Sequence, residues 1–166
     1  MAQQRDCLPT IGRLRSYLQI NDKTHEEKPI IQTDQSVGWL PAGPFFSPDG
    51  KKMAVWWNRK DKGLWIISLV PNSETFLRSG YIDPVGWSPD EKYVYAIRGE
   101  TGLPGREIIR VQVAAPNEVT SVASLPGHVV NFDGASVSPD GHEIVVSVSE
   151  EKSDVWLMEN FDPSPR

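Results

Sequence analysis

Few residues of this 166-residue chain have types and spacing that could do chemistry, and Gly86-Trp87-Ser88-Pro89-Asp90 comes nearest to a catalytic motif. A nucleophile elbow reads G-x-S-x-G and leads from a strand into a helix. Here Asp90 stands in place of the last glycine, and the run that follows, Tyr93-Val94-Tyr95-Ala96-Ile97, has the β-branched and aromatic character of a strand. Ser88 therefore reads as a turn serine bonded to its own backbone. The histidines are His25, His128 and His142, and none is spaced to complete a Ser/His/Asp arrangement. The single cysteine, Cys7, excludes an intrachain disulfide and a zinc site built on cysteines. "SEEKSD", Ser149 to Asp154, offers several oxygens but not the alternation of a calcium loop. "GETGLPG", Gly99 to Gly105, lacks the Lys-Ser/Thr of a phosphate loop. The sequence thus assigns no catalytic residue, no metal and no cofactor.

Two carboxylates share a register. Asp83 and Asp133 each precede a Ser-Pro-Asp turn serine, Ser88 and Ser138, by five residues, while Ala42 holds the same place before Ser47. Such a pair could bind a cation or a basic peptide terminus. The commoner role of Asp at the start of a strand is to cap a loop through its own backbone bonds.

The elements that would position these residues are written three times. Ser47-Pro48-Asp49-Gly50, Ser88-Pro89-Asp90-Glu91 and Ser138-Pro139-Asp140-Gly141 each follow the preferences of a type I turn. An apolar segment precedes each turn: Pro44–Phe46, Val85–Trp87 and Ala135–Val137. A strand-like run follows each: Met53–Trp57, Tyr93–Ile97 and Ile144–Val148. After a polar loop comes another run, Leu64–Leu69, Ile108–Val113 or Val155–Met158, and two copies continue into Thr75–Leu77 and Val119–Val122. Residues 11–37 read as the back half of a preceding unit, with strands in "RLRSYLQIN" and "KPIIQTD". No segment sustains a 3.6-residue apolar period, so the chain is expected to be all-β.

Four-stranded units of about 40 residues, repeated radially, are the mark of a β-propeller. The expectation is a partial β-propeller of about three and a half four-stranded blades. Residues 1–10 are expected to be a disordered segment, and the blade pieces to cover about 11–37, 38–80, 81–127 and 128–161. The first strand of each blade should line the central channel, with tryptophans packing one blade on the next. A β-sandwich is the rival, and it leaves three matching serine turns unexplained.

The repeated apolar-Ser-Pro-Asp-Gly turn, strand, loop and Leu/Val-Trp-hydrophobic run resembles the WD-like propeller repeat of the TolB-like superfamily over residues 38–160. The ending "SDVWLMENFDP" looks like the last blade of bacterial propellers that follow a kinase or a winged-helix regulator domain. The resemblance implies a C-terminal propeller segment of a bacterial protein. It says nothing of activity, because Tol-system proteins, peptidase gating domains and sensor tails share the fold.

On that architecture the second-to-third-strand loops and the inter-blade loops share a face. Arg59, Lys60, Asp61, Arg98, Glu100, Arg106 and Glu107 are expected there, with Asp83 and Asp133 nearer the axis. Mixed charge around a concave centre suits a protein or peptide partner, and the Gly99–Gly105 loop should protrude most. The net charge of −5, with both signs interspersed, argues against nucleic acid. No apolar run is long enough to insert in a membrane. The first residues lack the core of a signal peptide, so the chain as written reads as cytoplasmic, and as periplasmic if Met1 is an internal start.

Leaving two blade faces wet would forgo on the order of 10 kcal/mol per face, at about 25 cal/mol per Å². Domain stability as a whole is only about 5–15 kcal/mol. Missing blades are therefore expected from the same parent chain or from a second copy. The leading expectation is a non-catalytic protein- or peptide-binding module of a longer sensor, regulator or TolB-like protein. The alternative is the accessory propeller of a prolyl oligopeptidase-like serine peptidase.

Overall fold

Residues 16–32, 44–99, 105–125 and 135–147 are described in a computed structural model of the chain. Among them are strands and turns and no helix. The alternation of the strand sequences explains the layout. In β4 (Lys52–Trp57) successive side chains point to opposite faces, and both faces are apolar, so a sheet must pack on each side.

Two complete antiparallel sheets result. The first runs β3 (Phe45–Phe46), β4, β5 (Gly63–Leu69), β6 (Asn72–Ser79), and the second runs β7 (Ile82–Trp87), β8 (Tyr93–Arg98), β9 (Glu107–Gln112), β10 (Val119–Ser124). A hairpin of β1 (Ser16–Ile20) and β2 (Glu27–Gln32) precedes them, and β11 (Ala135–Val137) pairs with β12 (Ile144–Val146) after them. This is the expected all-β partial propeller. The expected strand Val155–Met158, residues 1–10 and Asp133 lie outside the described residues.

The core is divided into slabs between sheets. Met53, Val55 and Trp57 of β4 pack with Trp65, Ile67 and the hairpin residue Ile31. Ala54, on the opposite face of β4, packs with Leu64, Ile66 and Leu77 against Ile82, Trp87, Val94 and Ala96 of the second sheet. Val85, Ile97, Ile108 and Leu125 meet Val137, Ile144 and Val146 of the last hairpin. Each fully buried aliphatic side chain contributes roughly 1.5–3 kcal/mol. The outward side of β12 is different, since Val145 is 67% exposed.

The three serine turns are built by one set of hydrogen bonds. The Gly50 N–H donates to the Ser47 carbonyl (2.8 Å), the Ser47 hydroxyl donates to Asp49 Oδ1 (2.7 Å), and the Lys52 N–H donates back to Ser47 Oγ (3.0 Å). Ser88 with Asp90, and Ser138 with Asp140, repeat every bond. Proline supplies the second position, and the fourth is left-handed: φ is 69° at Gly50, 59° at Glu91 and 74° at Gly141. The turns stack at one end of the molecule. A Cβ on Gly141 would lie 2.6 Å from Pro89 Cδ of the preceding turn, whereas one on Gly50 would meet nothing within 4 Å. Glu91 spans the other junction, accepting from the Asp49 N–H (2.9 Å) and from Lys52 Nζ (3.1 Å).

Candidate functional site

The first strands β3, β7 and β11 lie side by side, as expected of strands around a propeller axis. Toward the serine-turn end they line an open groove of about 420 Å³ with Phe45, Phe46, Trp87 and Val137 on its walls. Trp87 fastens two of these strands, because its indole N–H donates to the Phe45 carbonyl at 2.8 Å.

The charged residues expected on one face are divided among three places. Arg59 follows β4 and lies on the side of the sheet that meets the β1–β2 hairpin. Its guanidinium stands 4.0 Å from the Trp57 ring centre and 4.6 Å from that of Trp65, and it pairs with Glu74 at 2.6 Å. A cation over indole faces is attracted by the ring quadrupole, so Arg59 serves its own blade. Lys60 and Asp61 are exposed in the same turn. Glu100 and Asp133 lie outside the described residues.

Arg106 is not on the rim. It is 5% exposed and sits beside Asp83, itself 6% exposed, with Nη2 to Oδ2 at 3.9 Å. The Asp83 Oδ2 has no hydrogen-bond partner among the described residues. Burial pushes the Asp83 carboxyl up to about 7, against the pull of the Arg106 guanidinium. The expected axial carboxylate is therefore a buried group that exchanges its proton near neutrality.

Arg98 and Glu107 face each other across β8 and β9, with Arg98 Nε 2.9 Å from Glu107 Oε1. A hydrogen bond from Ser121, then the Arg98 contact, holds the Glu107 carboxyl below its usual range. Arg98 also lines a cleft of about 250 Å³ between the two complete sheets, with Arg78, Gly80, Tyr81, Ile82 and Gly99. The floor of this cleft is tied down: the Gly80 N–H donates to the Lys62 carbonyl (3.1 Å) and the Gly99 N–H to the Tyr81 carbonyl (3.0 Å).

The cleft's aromatic wall was not singled out from the sequence. Tyr81, 37% exposed, stacks on Trp56 with centroids 5.9 Å apart and planes 13° apart. Lys62 Nζ stands 4.0 Å from the Tyr81 ring centre and donates to its hydroxyl at 2.8 Å, and the Trp56 indole donates to the Gly80 carbonyl at 2.9 Å. The adjacent pair Trp56-Trp57 held the signal. Neighbours on a strand point to opposite faces, so one tryptophan had to face the following blade.

No protein-family model matches this sequence, and no curated protein matches it. Solved structures do. TolB from Acinetobacter baumannii matches with a TM-score of 0.59 at 18% identity, over 85% of this chain and 36% of that one. An oligogalacturonate lyase in complex with manganese matches with a TM-score of 0.58 at 21% identity, over 79% of this chain and 35% of that one. A protein described as TolB from Agrobacterium tumefaciens matches with a TM-score of 0.55 at 23% identity, over 72% of this chain and 40% of that one. These likenesses establish the fold, a β-propeller, and the chain spans between 35% and 40% of the length of these structures. Among the described residues, no group of three or more His, Cys, Asp and Glu is placed to hold a metal ion. No helix among them is long and apolar enough to cross a membrane.

Proposed function

We propose that this chain is a non-catalytic module that binds a protein or peptide, working within a longer bacterial propeller protein of the sensor, regulator or TolB-like kind. The observation that carries the reading is the cleft between the two complete sheets. It joins a stacked Tyr81–Trp56 wall to Arg78 and Arg98 over a floor fixed by the Gly80 and Gly99 backbone bonds. A rigid aromatic side chain with adjacent guanidinium donors is the composition found at the energetic centres of protein interfaces. Fixing the floor in advance lowers the ordering cost of binding. The exposed outer side of β12 supports a setting in which further blades come from the parent chain or from a second copy.

The test is selection of displayed random peptides on the 166-residue chain, followed by amide hydrogen exchange. Selected peptides should slow exchange over residues 79–82 and at Gly99, and Tyr81→Ala should weaken them. Failure to enrich any sequence, or protection confined to other parts of the molecule, would refute the reading.

A further inference from the structure

The composition of the inter-blade cleft specifies its partner more narrowly than the reading above, on which this inference rests. Arg78 and Arg98 line the cleft, and Lys62 is fixed beside it on Tyr81. One carboxylate, Glu107, answers Arg98. Arg78 gives its Nη1 hydrogen bond to an uncharged group, the Pro116 carbonyl at 3.3 Å, and Lys62 gives its own to the Tyr81 hydroxyl. Neither has an ion pair among the described residues. Among the described residues, a chain of net charge −5 thus places two arginines in this cleft and a lysine beside it, with one carboxylate paired to Arg98.

From this arrangement we infer that the cleft takes a short acidic peptide segment, with Asp or Glu side chains on Arg78 and Lys62 and an apolar side chain or peptide plane against Tyr81. The Arg78 guanidinium offers planar donors that match carboxylate oxygens, and such charge-assisted bonds are stronger than neutral ones. The size of the cleft, about 250 Å³, suits one or two side chains and not a long ligand. The remaining charge of the chain is negative, so an extended polyanion such as RNA is repelled as soon as it leaves the cleft. A brief acidic stretch with neutral flanks meets only the favourable part of the field.

The experiment measures fluorescence anisotropy of labelled, end-blocked hexapeptides on the 166-residue chain: a hexamer with Glu-Glu at its centre and alanine flanks, the same hexamer with Gln-Gln or with Lys-Lys at its centre, and one with a single central phosphoserine. The Glu-Glu hexamer should bind best. Lys62→Ala and Arg78→Ala should each weaken it about tenfold, the loss of one charge-assisted contact, and Arg78→Lys should recover part of that loss. Added salt should weaken binding in parallel. Circular dichroism of each variant separates lost binding from lost folding. Equal binding of the Gln-Gln hexamer, preference for the Lys-Lys hexamer or for the phosphopeptide, or indifference to both Lys62→Ala and Arg78→Ala would overturn the inference. If the displayed-peptide selection yields ligands of the cleft without acidic enrichment, this inference falls and the binding module stands. If it yields none, both fall.

Discussion

Glu91 accepts a hydrogen bond from the backbone N–H of Asp49, 42 residues earlier and in the turn of the neighbouring blade. It does so from a left-handed backbone, φ 59°, at the place where the other two turns carry glycine. A non-glycine residue held there costs on the order of 1 kcal/mol. The bond to Asp49 and the Lys52 contact offset that strain.

Removing the Glu91 side chain should expose this balance. Glu91→Ala keeps the strain and loses the inter-blade bonds, so it should destabilise by about 1–2 kcal/mol. Glu91→Gly loses the same bonds but relieves the backbone, and should be about 1 kcal/mol less damaging than the alanine variant. Urea denaturation of both variants measures the difference.

Gly50 and Gly141 hold the same turn position with different surroundings. Gly50→Ala meets open space and should cost only the left-handed strain, about 1 kcal/mol. Gly141→Ala drives a Cβ to 2.6 Å from Pro89 Cδ, so it should cost more, about 2–3 kcal/mol. Equal losses in denaturation would mean that the turns are not stacked as described.

Trp87→Phe keeps most of the apolar contact in the slab between the complete sheets and removes the indole bond to the Phe45 carbonyl. The expected loss is about 1–2 kcal/mol. Exchange should quicken for amides of β3 and β7, where the bond joined the two blades, before those of β9.

Stability should depend on pH in two opposed windows. The Asp83 carboxyl moves from 3.8 to about 7 on folding, so the folded chain binds the extra proton between these values. The contribution of Asp83 is fully present below 3.8 and lost as pH rises through about 7. Asp90 is held down to about 2, chiefly by the Ser88 hydroxyl, and Asp49 and Asp140 are lowered by equivalent turn bonds. Those contributions are present above 3.8 and lost as pH falls below it. Asp83→Asn should abolish the decline between pH 4 and 7 and leave the acid-side loss unchanged, as read from denaturation midpoints across pH.

Local chemistry was legible in the sequence and long-range placement was not. Ser47, Ser88 and Ser138 announce their turns because every bond of the turn lies within five residues. The strands after them are equally plain, since apolar β-branched and aromatic runs allow little else. Arg106 reads as a rim residue because it ends a polar loop, and only the registers of β7 on β8 and of β8 on β9 bring it across the sheet face to Asp83. The Tyr81 wall is invisible for the same reason: Lys62, Arg78, Tyr81 and Arg98 come from four separate elements, and no spacing joins them. Glu91 looks like a mild departure from a glycine preference. Its reach to Asp49 depends on the turns being stacked.

The apolar interior is a series of slabs, each shared only by adjacent sheets, with no centre common to all. Such a molecule behaves more like a row of linked plates than a drop. Damage to the slab holding Val85 and Ile108 should loosen the plates on its own side and leave the protection around Met53 and Trp57 nearly intact. Melting would then begin at an end and travel inward, one junction at a time.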